Sequence, residues 1–68
     1  MHPEKGTYTH YKGNQYEVLN VVKHSETEEE LVLYKSVKND QLWVRPLSMF
    51  METITLNGTT IPRFKKDV

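Results

Sequence analysis

The chain has 68 residues, nine basic against nine acidic side chains, and no cysteine. That length supports a single domain, and one so small buries only about 60% of the surface of its unfolded chain. Without cysteine, disulfides and Cys-rich zinc sites are excluded, so an apolar core and regular hydrogen bonding must carry the fold.

In chain order, residues 1–6 are polar, contain Pro3 and Gly6, and read as a disordered tail. Short runs of β-branched and aromatic residues then alternate with turn signals. Thr7–Tyr11 reads as a strand, Lys12-Gly13-Asn14 as a turn, and Gln15–His24 as the longest strand. Val18-Leu19 and Val21-Val22 are apolar on both parities, which a strong bend or a bulge near Asn20 accommodates. Ser25–Glu30 is a charged loop, Leu31–Val37 a strand, and Leu42–Arg45 a short strand stopped by Pro46. Leu47–Phe50 reads as one 3₁₀ turn, and Met51–Leu56 and Thr59–Phe64 as the last strands.

Asn57-Gly58 between alternating runs predicts a two-residue type I′ hairpin, because both central positions need positive φ. The register then places Leu56 opposite Thr59, Ile54 opposite Ile61, Thr53 opposite Pro62, Glu52 opposite Arg63 and Met51 opposite Phe64. Pro62 falls at a non-hydrogen-bonded pair, and Glu52 and Arg63 can pair across strands. The fold class is therefore all-β: a small SH3-like barrel of five to six antiparallel strands with one 3₁₀ turn. It occupies residues 7–64, with residues 65–68 as a frayed end. An open antiparallel sheet is the alternative, and would expose an apolar face to a partner or a second copy.

The residue types do not favour catalysis. His2, His10 and His24 show no ligand spacing, and Glu26, Glu28, Glu29 and Glu30 lack the glycine and alternating Asp/Asn pattern of a calcium loop. Ser25, Ser36 and Ser48 sit in no nucleophile motif. No catalytic residue, metal or cofactor is expected. On a strand, Trp43 and Arg45 share one side and Leu42 and Val44 the other. If the aliphatic pair faces the core, Trp43 and Arg45 stand outside, where Tyr8, Tyr11, Tyr16 and Tyr34 can join them. Such a face suits peptide recognition or stacking on single-stranded nucleic acid. Equally, Trp43 can simply cap the small core with Arg45 over its ring.

Several segments carry a resemblance. His10-Tyr11-Lys12-Gly13, Tyr16-Glu17-Val18-Leu19, His24-Ser25-Glu26-Thr27, Glu29-Glu30-Leu31-Val32, Leu42-Trp43-Val44-Arg45-Pro46-Leu47, Met49-Phe50 and Pro62-Arg63-Phe64 together resemble a small bacterial family, the domain of unknown function 1653. The resemblance runs from Tyr8 to Phe64 and implies a bacterial, cytosolic, stand-alone protein with no imported activity. It marks His10, Tyr11, Trp43, Arg45 and Pro46 as part of the family pattern. Glu28 departs from it, standing where members are expected often to carry glycine.

Neutral net charge argues against a strong, non-specific nucleic-acid binder. No apolar run reaches the length of a membrane span, and the N-terminal residues lack the apolar core of a signal peptide. The expectation is a cytoplasmic, non-catalytic protein- or peptide-binding module, monomeric or weakly dimeric, using Trp43, Arg45, Tyr11, His10 and Tyr34. Single-stranded nucleic-acid binding through Lys12, Lys35, Arg45, Arg63, Lys65 and Lys66 is the alternative. A small enzyme or metal protein using His10 and His24 is the third.

Overall fold

The computed structural model describes residues 3–67. Its elements are β1 (Gly6–His10), β2 (Gln15–Lys23), β3 (Glu30–Ser36), β4 (Leu42–Pro46), α1 (Leu47–Phe50), β5 (Thr53–Leu56), β6 (Thr59–Pro62) and β7 (Phe64–Lys66). Five strands form one antiparallel sheet in the order β4-β3-β2-β1-β7, and β5 and β6 form a separate hairpin. The fold is all-β, but the sheet is open, with β4 and β7 as its edges. The expected all-β, antiparallel architecture is present, with seven strands among the described residues, as a curled sheet that does not close into a barrel. The curl is measurable: four strand spacings of about 4.8 Å would hold β4 and β7 roughly 19 Å apart in a flat sheet. Yet the Arg45 guanidinium carbon of β4 lies 5.5 Å from the Phe64 ring centroid of β7.

Residues directly opposite one another in an antiparallel pair share a face. Tyr8, Val18, Val32, Tyr34 and Phe64 thus line the inner face, and Phe50 of α1 packs onto them to complete the buried core. A register shift between Val18 and Asn20 lets both Val18 and Val21 turn inward. Val21 N–H donates to Asn20 Oδ1 at 2.8 Å beside the bulge. The apolar residues of both parities are explained by this irregularity.

The β5–β6 hairpin has the register that Asn57-Gly58 predicts, with Ile54 opposite Ile61 and Thr53 opposite Pro62. Asn57 and Gly58 adopt φ of +50° and +80°. Arg63 N–H donates to the Glu52 carbonyl at 2.9 Å, so the proline indeed lies between hydrogen-bonded positions. Beyond Arg63 the expectation fails. The strand is interrupted at Arg63, and Phe64 leaves Met51 to pair with His10 of β1. Lys65 and Lys66 are consequently strand residues, opposite Thr9 and Tyr8, rather than a frayed end. Asp67 continues the attachment: its N–H donates to Thr7 O, and its carboxylate accepts from Thr9 Oγ1 at 2.7 Å and Gln15 Nε2 at 3.0 Å. At the other end, Gly6 belongs to β1, and Tyr8 Oη donates to Glu4 O at 2.7 Å. Met1 and His2, read as part of a tail, lie outside the described residues. Leu47–Phe50 forms one α-helical turn, closed by Met51 N–H to Leu47 O at 3.0 Å, in place of the expected 3₁₀ turn.

In the β2–β3 loop, Glu28 has φ of +61°, in the left-handed region that costs a side-chain-bearing residue about 1–2 kcal/mol. Glu28→Gly relieves that strain at a smaller cost in chain entropy, and should raise unfolding stability by about 0.5–1 kcal/mol. Urea unfolding of the two chains checks this.

Among the described residues, no helix is long and apolar enough to cross a membrane.

Candidate functional site

Alternation along β4 is as the sequence requires, and of the two faces it leaves open it is Trp43 and Arg45, not Leu42 and Val44, that take the inner one. Trp43 lies opposite Tyr34 and Arg45 opposite Val32, so both belong to the inner face. Leu42 and Val44, opposite Lys35 and Leu33, lie on the outer face and are each 55% exposed. Trp43 is not buried by this placement. Its strand is the sheet edge, and the side chain remains 51% exposed.

Tyr16, Tyr34, Trp43 and Arg45 line a cleft of about 160 Å³ on this face. The Tyr16 and Tyr34 rings meet edge to face at 5.4 Å between centroids, and both meet Phe64 at 5.8 Å. Arg45 Nε donates to Tyr34 Oη at 3.4 Å, and its guanidinium lies over Phe64. Arg45 thus lies over the ring of Phe64 rather than over that of Trp43. A second concavity of about 230 Å³ continues past Trp43 and Tyr16 toward Asn14, Lys38 and Asn39. Trp43 and Tyr16 therefore border both concavities.

His10 and Tyr11 do not join that cleft. Their rings touch at 4.6 Å and line a different hollow, formed with Ile61, Pro62 and Lys65. His10 shares the inner face with its cross-strand partner Phe64 and meets the aromatic cluster at 4.8 Å from Phe64 and 6.4 Å from Tyr16. Its Nδ1 accepts Lys12 N–H at 3.2 Å, which leaves the proton of the neutral ring on Nε2. Burial first, and then the charges of Arg45, Arg63 and Lys12, lower its pKa from the ordinary 6.5. The unfolded chain therefore takes up this proton at a higher pH than the folded one. His10 contributes stability that is fully present above pH 6.5 and is lost as pH falls through the folded pKa. Denaturant unfolding between pH 7.5 and 5 should show a fall in stability that His10→Gln reduces.

His10 and His24 stand near opposite ends of β2, whose eight residue steps span about 27 Å in an extended strand. A joint site for these two histidines is thereby excluded by the sheet. His24 Nδ1 instead accepts N–H from Glu26 and Thr27 in its own loop. Among the described residues, no cluster of three His, Asp or Glu side chains could hold a metal. The basic residues are also divided. Lys35 faces Glu17 and Asp40, Arg63 Nη2 donates to Glu52 Oε1 at 2.9 Å, and Arg45 is engaged by Tyr34 and Phe64.

The class defined by this geometry is a small curled antiparallel sheet with an aromatic groove at one edge. The chain belongs to the family described as "Protein of unknown function (DUF1653)", whose model matches residues 6–66. A solved structure, described as a protein belonging to that family from Bordetella bronchiseptica, is similar with a TM-score of 0.88 and 29% identity. The match covers 96% of this chain and 87% of that one. No curated protein matches the chain.

Proposed function

We propose that this chain is a bacterial, cytoplasmic, non-catalytic module that binds an extended segment of a partner protein along β4. The observation that carries this reading is the composition of the two sheet edges. Leu42, Trp43 and Val44 are consecutive apolar residues, all more than half exposed, on the β4 edge. The β7 edge instead carries exposed Lys65 and Lys66, the charged protection that discourages strand addition. A strand added to β4 gains main-chain hydrogen bonds and covers apolar side chains on both faces. Its inward side chains meet the groove around Trp43. Arg45 in the cleft wall disfavours a cationic guest and favours an apolar or acidic one.

Nucleic acid is less well supported, since Lys35, Arg45 and Arg63, three of its six expected cations, have partners within the protein. Peptides selected from a random displayed library on the wild-type chain test the proposal. Trp43→Ala should weaken them about 30-fold, the effect of removing an aromatic anchor worth roughly 2 kcal/mol. Its folding stability should change little, because Trp43 is half exposed. Unchanged peptide affinity in Trp43→Ala refutes the reading. Salt-sensitive binding of a single-stranded oligonucleotide, with no peptide selected, replaces it.

A further inference from the structure

We propose that the hollow between the β1–β2 turn and the β5–β6 hairpin is a second binding site, for a small carboxylic acid with an apolar body. It measures about 450 Å³, within the roughly 300–1,000 Å³ of small-molecule sites. Its walls include His10, Tyr11, Gly13, Ile61, Pro62 and Lys65. Lys65 and its cross-strand partner Thr9 lie on the sheet face opposite the Trp43 groove, because side chains alternate along β1 and β7. The lysine of this hollow thus stands on the other face from Trp43, while His10 joins the two regions through its contacts with Phe64 and Tyr16.

Three features select the ligand class. First, the tyrosine ring, the isoleucine and the proline supply an apolar lining with room for a short alkyl chain or one ring. Second, the lysine ammonium has no ion-pair partner among the described residues, so an anionic head would be its first. Third, the cations around His10 outnumber the neighbouring carboxylates: Arg45, Arg63 and Lys12 act on it electrostatically, against Asp67 bonded to Thr9 of the wall and Glu52 paired with Arg63. Three of the nine acidic side chains, Glu26, Glu28 and Glu29, are gathered in the loop at the far end of β2. A cationic ligand is thus disfavoured. A single ammonium, with a neutral imidazole able to donate from Nε2, matches a monoanion better than a phosphate, which demands more donors.

The test is an amide chemical-shift titration of the full chain with hexanoate, hexanol and acetate. Hexanoate should shift Thr9, Tyr11, Gly13, Ile61 and Lys65 and leave the Trp43 indole unmoved. Hexanol and acetate, each lacking one half of the ligand, should bind more weakly. Lys65→Met keeps most of the side-chain length without the charge, and should weaken hexanoate about tenfold while leaving hexanol unchanged. Equal binding of hexanol and hexanoate, shifts centred elsewhere, or an unaltered Lys65→Met would overturn the assignment.

Discussion

Phe50→Ala should destabilise the domain by about 3–5 kcal/mol, the usual cost of removing a buried phenylalanine. A chain of this length has only about 3–10 kcal/mol of folding stability, so much of the variant should be unfolded at room temperature. The reason lies in what the ring touches. Phe50 is 2% exposed. It stacks on Phe64 at 4.2 Å, with an interplanar angle of 8°, and meets Tyr8 at 5.5 Å and Tyr34 at 5.8 Å. Those three residues come from β7, β1 and β3, so one side chain from a four-residue helix joins both halves of the curled sheet. Circular dichroism during urea unfolding reads the effect. Phe50→Leu, which retains most of the apolar volume, should cost far less. A loss below 1 kcal/mol in Phe50→Ala would mean that α1 is not integral to the core.

Ending the chain after Phe64 should cost about 3 kcal/mol or more, although residues 65–68 look dispensable by composition. The truncation removes the pairing of Lys65 with Thr9 and of Lys66 with Tyr8. It also removes the three Asp67 hydrogen bonds to Thr7, Thr9 and Gln15. Each such bond is worth about 1 kcal/mol net. An unchanged urea midpoint would show that β7 contributes nothing beyond Phe64. Asp67→Ala, which keeps the strand but loses both carboxylate contacts, should fall between the wild type and the truncation.

These two effects mark where the sequence was legible and where it was not. The β5–β6 hairpin could be read to the residue, because Asn57-Gly58 admits few turn geometries and a two-residue loop leaves no freedom of register. The bulge at Asn20 was legible for a similar reason: apolar residues on both parities need a break in alternation. The departure of Phe64 toward β1 was not. Thr59–Phe64 reads as one strand, and only the competition between Met51 and His10 for Phe64 decides where it ends. Burying Phe64 against Phe50, Tyr16 and Tyr34 favours His10.

Alternation likewise paired Trp43 with Arg45, but a period of two cannot say which side faces inward when both sides are apolar. Cross-strand register with Val32 and Tyr34 settles it. The same limit separated the candidate site residues. Tyr34, Trp43 and Arg45 share one cleft with Tyr16, whereas His10 and Tyr11 face the other hollow. Closed against open sheet was also beyond reach, since it depends on how far β4 and β7 curl toward each other, and no local residue pattern encodes that distance.

Peptide binding of the kind proposed requires β4 to be the edge that receives a partner strand. Amide hydrogen exchange of the chain, alone and saturated with a selected peptide, examines this directly. New protection is expected at the outward-facing amides between Leu42 and Arg45 alone, with β7 unchanged. Protection appearing along β7, or none on β4 despite saturation, would contradict it.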